Sequence, residues 1–80
     1  MFYVYLMRSE DYPDETHIGF TDNVEKRIEA HNKGEAPQTT GYKPWVLVAY
    51  AAFKDKTSAM IFEAHLKTGA GNAFSNKHFW

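Results

Sequence analysis

Two apolar runs separated by turn-forming acids open this chain, and that arrangement restricts its fold more than any other feature. FYVYLMR (Phe2 to Arg8) is aromatic and β-branched, as a pleated surface prefers, and reads as a first strand. SEDYPDE then supplies Ser, Asp and Pro in turn positions, and THIGF (Thr16 to Phe20) resumes an extended apolar segment. The pair predicts an antiparallel hairpin with an acidic loop. Tyr3 and Tyr5 share one face of strand one, because strand side chains alternate with period two.

The remaining elements follow from helix and turn signals. Asp22 with Glu25 three residues later is a capping-box pattern, and Val24, Ile28 and His31 fall at helical spacing before Gly34. A helix is therefore expected from about Asn23 to Lys33. GEAPQTTGYKP is an irregular loop. WVLVAYAAF (Trp45 to Phe53) is apolar throughout, which predicts a central strand covered on both faces. Asp55 caps KTSAMIFEAHLK, whose Ala59, Phe62 and Leu66 form a buried line, and TGAG stops it. NAFSNKHFW reads as a last helical turn tucking Phe74, Phe79 or Trp80 onto the body. The expectation is an α+β fold, a small three-stranded antiparallel sheet with helices packed against it in β-β-α-β-α-α order, one domain over residues 1–80.

A chain of 80 residues removes only roughly 60% of its unfolded surface from water on folding, so its core must be dense. Aromatic residues at 16% supply large buried areas, and with no Cys there is neither a disulfide nor a thiolate metal site. MFYVYLM is too short for a signal h-region and no run approaches membrane-spanning length, which predicts a soluble, cytoplasmic protein. A net charge of −1 argues at first against a polyanionic partner. Four acids lie between Glu10 and Glu15, however, leaving nine Lys and Arg against six Asp and Glu elsewhere. One acidic tip on a mildly basic body is the picture that results.

Helical spacing sets Arg27 and His31 one turn apart on one face, beside the Val24/Ile28 stripe at the edge of the core. Glu63 follows Phe62 on the second helix, and Tyr5 and His17 come from the two hairpin strands. Each has an ordinary structural role open to it. Arg27 can pair with a nearby carboxylate, His31 can interact with the helix C-terminus, and Glu63 can pair with Lys67 at i+4. Tyr5 can be a core-edge ring and His17 a polar strand residue. No His or carboxylate pair has zinc-site spacing.

The joint order of these residues resembles the GIY-YIG nuclease domain, in its small stand-alone branch. YVY (Tyr3 to Tyr5), a polar turn, HIG (His17 to Gly19) and FTDNVEKRIEAHN resemble its first half; GEAPQTTGYKPWVLV and AMIFEAHLKTGAGNAF resemble its second. The resemblance implies a divalent-metal-dependent phosphodiesterase. Tyr5 matches the tyrosine beside the attacking water, Arg27 the arginine that binds the scissile phosphate, His31 an assisting histidine and Glu63 the metal-binding acid. The implied cofactor is one Mg2+ (or Mn2+) ion, which one carboxylate with water and phosphate oxygens can hold. A guanidinium fork suits phosphate oxygens, whereas an ordinary phenol, with a pKa near 10, is a poor base at pH 7.

The chain departs from the family pattern at three places. His17 stands where the second motif has tyrosine, Tyr3 replaces the first motif's glycine, and Phe20 replaces a lysine found in some relatives. Imidazole titrates near neutrality, so His17 is expected to act as the base or to polarise Tyr5, the alternative being that it marks a domain that has lost catalysis. Thr39, Thr40, Tyr42 and Lys43 are expected phosphate contacts, and Asn72, like Asn76, lies where the family often has an asparagine. The function expected is hydrolysis of DNA, with branched or damaged structures among the candidates and a partner chain or self-association supplying target choice. The alternatives are a nucleic-acid-binding module that does not cut, and a protein interaction domain using the acidic tip and aromatic C-terminus.

Overall fold

The computed structural model describes all 80 residues, Met1 to Trp80. Three strands, β1 (Phe2–Ser9), β2 (Thr16–Thr21) and β3 (Trp45–Phe53), form one sheet in the order β2-β1-β3, each neighbouring pair antiparallel. Helix α1 (Val24–Asn32) joins β2 to β3, and helices α2 (Lys56–Leu66) and α3 (Gly69–His78) follow. The α+β architecture and its element order are as the sequence predicts.

The central strand is not as expected. It is β1, whose Val4, Tyr5, Leu6 and Met7 are all at most 1% exposed. Alternation sends Val4 and Leu6 to one face, where Ala59 and Leu66 of α2 meet them with Phe53, Phe62, Phe79 and Trp80 around. Tyr5 and Met7 point to the other face, against Trp45 and the Val24/Ile28 stripe of α1. The hairpin places β2 on one edge of β1. Because β2 and β3 are both antiparallel to β1, they run parallel to each other, and a parallel pair needs a crossover such as α1. That crossover carries β3 past β1 to the opposite edge, so β3 is a border strand that leaves Val46, Leu47 and Tyr50 exposed. An unbroken apolar run reports hydrophobicity, not the number of faces that helices cover.

Two helix boundaries also differ. Asn23, not Asp22, caps α1: its side chain accepts the Lys26 amide at 3.1 Å. At the other end Gly34 takes φ +80°, a conformation that ends a helix cheaply only for glycine. The TGAG segment does stop α2, but it also starts a full helix of 10 residues rather than a final turn, with Thr68 accepting the Gly71 amide. Gly71 is needed for packing, since a Cβ there would run into the His65 carbonyl and push α3 off α2. No helix is long and apolar enough to cross a membrane.

Candidate active site

Tyr5 is the centre of the site. Its ring crosses from β1 over its cross-strand partner Gly19 so closely that a Cβ on Gly19 would overlap the phenol. The close approach carries the hydroxyl to α1, where Nε2 of His31 lies at 2.9 Å and the Nε–H of Arg27 donates to it across 3.3 Å. The i, i+4 spacing on α1 thus brings both side chains onto one oxygen.

His31 is 1% exposed and held on both sides: its Nδ1 stands 2.7 Å from Oγ1 of Thr39. The Thr39 hydroxyl in turn donates to the Ala36 carbonyl. If the hydrogens follow that direction, Nδ1–H donates to Thr39 and Tyr5 O–H donates to Nε2, giving every group a partner. The indole N–H of Trp45 donates to the Thr39 carbonyl at 2.9 Å, and the Asn32 amide donates to the Trp45 carbonyl while its oxygen accepts the Trp45 amide N–H. The Trp after Pro44 therefore anchors the loop that holds His31. Nothing beside Trp45 in the sequence shows this role.

Burial sets the protonation states. Loss of water, then the charges of His17 and Arg27, lowers the His31 pKa to about 4, so His31 is neutral and makes no cationic interaction with the helix end. Burial raises the Tyr5 pKa above its ordinary value, more than the Arg27 hydrogen bond and charge lower it. His17 is half-buried and its pKa is lowered, by desolvation first and then by Lys67 and Arg27. Its ring lies 5.1 Å from His31, 6.0 Å from Tyr5 and 6.3 Å from Trp45, centroid to centroid. These are ring contacts; the hydrogen bond to Tyr5 belongs to His31. Glu63 comes from α2, and its charge also acts on Tyr5.

The model of the GIY-YIG catalytic domain matches residues 1–76. The chain belongs to this family. It is 40% identical over 68 residues to a UPF0213 protein of Clostridium perfringens, covering 84% of this chain and 71% of the relative. It is 38% identical over 65 residues to a structure-specific endonuclease subunit SLX1 homolog of Giardia intestinalis, covering 76% of this chain but only 18% of that subunit. The solution NMR structure of a UPF0213 protein from Bacillus halodurans superposes with a TM-score of 0.55 at 32% identity, covering 96% of this chain and 84% of that one.

Within this GIY-YIG domain, then, Arg27 and His31 bond to the Tyr5 hydroxyl, the His17 ring lies beside it, and Glu63 acts on it through charge. The other expected contacts lie in the loop before β3 and in α3. Thr39 is 2% exposed and its hydroxyl is taken by His31, so it supports the histidine from within and is not a phosphate contact. Thr40 is exposed and caps carbonyls of Gly34 and Ala36. Tyr42 packs edge-on against Tyr12 of the hairpin loop, its ring 5.4 Å away. Lys43 is exposed beside Gly34, and Asn72 is exposed in the first turn of α3. From sequence alone Lys67 is only a surface partner of Glu63, whereas in the fold its charge acts on His17.

Proposed function

We propose that this GIY-YIG domain is a metal-dependent endonuclease hydrolysing phosphodiester bonds in DNA. The observation that carries the reading is the convergence of Arg27 and His31 on the Tyr5 hydroxyl, with the Glu63 charge acting on the same group. Arg27 spends its Nε–H on Tyr5, and because the residue is exposed its Nη groups remain for a phosphate.

Tyr5 is 1% exposed and its pKa is raised, so it stays a neutral phenol out of reach of bulk water. Its part is to aim Arg27 and fix the floor of the site. The proton of the attacking water goes to His17, which is neutral at pH 7 and whose half-exposed ring is not committed to a hydrogen bond. His31 and Thr39 hold Tyr5 in place behind it.

Glu63 is the residue that would hold a divalent ion. Its side chain is 23% exposed, and no cluster of three acids or histidines surrounds it. A single, partly shielded carboxylate fits a hard cation that takes its other ligands from water and substrate oxygens, as Mg2+ or Mn2+ does. When bound, such an ion stabilises charge developing on the phosphate and the leaving oxygen.

The SLX1 relatives are named structure-specific endonuclease subunits, which supports DNA of branched form as the substrate class. A domain this small has little surface for target choice, so a partner chain or self-association completes the specificity. The decisive experiment is nicking of branched and plain duplex DNA with Mg2+ and with chelator. Wild type cuts only with metal and Glu63→Gln does not cut; cutting in chelator, or an active Glu63→Gln, overturns the proposal.

A further inference from the structure

Helix α2 brings a second ionisable side chain to the site one turn beyond Glu63. The Nζ of Lys67 stands 3.4 Å from Oε2 of Glu63, and its charge is among those felt by the His17 ring. We propose that Lys67 is the second cationic contact of this site for the nucleic-acid backbone, taking a phosphate next to the one that Arg27 takes. The inference rests on the nuclease reading above and assigns a binding residue to it.

The molecule contains its own control for the ordinary alternative. Lys33 and Glu29 on α1 have the same i, i+4 spacing, lie 2.8 Å apart and are equally exposed at 63% each. That is a symmetric surface pair of modest value. The Lys67–Glu63 pair is longer and lopsided, with the lysine 55% exposed and the glutamate 23%. The asymmetry has a cause in packing. Leu66 is buried against the sheet with Phe62 packed beside it, and Glu63, next to Phe62, is partly shielded, whereas Lys67 emerges at the helix end.

An ammonium held loosely by one carboxylate keeps its remaining donors free. One helical turn advances about 5.4 Å, and a strand of duplex nucleic acid carries a charge about every 3.4 Å of its axis. The i+4 step sets the Lys67 backbone one turn along α2 from Glu63, and its exposed ammonium is free to meet a phosphate beside the one at that acid. On the hairpin side Phe20 supplies no charge, since its ring stacks on Phe2 at 6.0 Å and 9°. Arg27 beside Tyr5 and Lys67 beside Glu63 are consequently the cations that two different helices bring to the centre.

The test measures binding without metal, so that it does not depend on cleavage. A duplex oligonucleotide is titrated in chelator at several salt concentrations with wild type, Lys67→Met, Lys67→Arg and Lys33→Met. Lys67→Met should bind several-fold more weakly, with the slope of log K against log salt smaller by about one. Lys67→Arg should restore most of the affinity, and Lys33→Met should match wild type. In Mg2+ the Lys67→Met defect should appear in KM, with kcat largely kept. Unchanged affinity and slope in Lys67→Met, an equal loss in Lys33→Met, or a loss confined to kcat each overturn the inference. Cleavage by wild type with any of those results leaves the nuclease reading standing; no binding or cleavage by wild type sinks that reading itself.

Discussion

The phenol of Tyr5 lies directly on the backbone of Gly19, its antiparallel partner in β2, and only that close passage lets the hydroxyl reach His31 and Arg27 on α1. A methyl group at position 19 must displace the ring. Gly19→Ala is therefore expected to lose about 1–3 kcal/mol of stability, the usual cost of overpacking, and to lose cleavage more completely than folding. Denaturant unfolding and a nicking assay on the same preparation check both. A variant of wild-type activity would mean that the phenol need not stand where it does.

The support behind His31 gives a second expectation. Thr39→Val keeps the shape but removes the oxygen 2.7 Å from Nδ1, leaving a buried ring nitrogen without a partner. The loss should be about 1–3 kcal/mol in stability, with reduced turnover because the ring that holds Tyr5 is free to tilt. Trp45→Phe should act in the same direction by releasing the Thr39 carbonyl. Thermal melts and single-turnover rates measure the effect, and a Thr39→Val protein as stable and as fast as wild type would remove the chain of hydrogen bonds from the account.

How far the sequence reveals this arrangement depends on whether a feature is local. The hairpin, α1 and α2 are carried by alternation, helical spacing and turn residues within a few positions of each other, and all three are present. Tyr5, His17, Arg27, His31 and Glu63 are singled out together because their order along the chain resembles a family pattern. The exchange of centre between β1 and β3 is not recoverable, because strand order is decided by where α1 crosses. Thr39 reads as a surface loop residue since nothing near it in sequence signals burial; its place is set by Trp45 and His31 from other elements. Lys67 looks like half of a surface pair because its approach to His17 exists only once α2 packs on the sheet.

For His17 the expectation is a pH dependence of kcat/KM. The proton acceptor must be neutral, and burial with the charges of Lys67 and Arg27 lowers its pKa below the ordinary 6.5. Activity should thus be on its plateau at pH 7 and fall on the acid side, with a midpoint below that of a free imidazole. His17 faces Lys67 from α2, Arg27 and His31 from α1, and Tyr5 from β1. Removing the Lys67 charge as Lys67→Met should move the acid limb to higher pH, because less repulsion opposes protonation. His17→Ala should lower kcat while leaving DNA affinity nearly intact. An acid limb that survives in His17→Ala at the same midpoint would assign the proton to another group.

His31 makes the fold itself sensitive to acid. Its pKa is about 4 in the folded protein against 6.5 for the free side chain, so between those values the unfolded chain binds a proton that the native chain refuses. Stability contributed by the neutral, hydrogen-bonded ring is complete above pH 6.5, declines as pH falls through the interval and levels off below about 4. The decline attributable to this residue should be about 1–2 kcal/mol between pH 7 and pH 5. His31→Gln retains a polar side chain that does not titrate, so its unfolding free energy should be lower at pH 7 and flatter across the interval. The difference between the two proteins must shrink as the solution is acidified. Denaturant titrations at half-unit steps of pH measure that difference directly; if it stays constant from pH 7 to pH 5, His31 titrates alike in the folded and unfolded chains, and if it grows, the ring is already charged inside the fold and its Nε2 donates to the Tyr5 oxygen instead of accepting the phenol O–H.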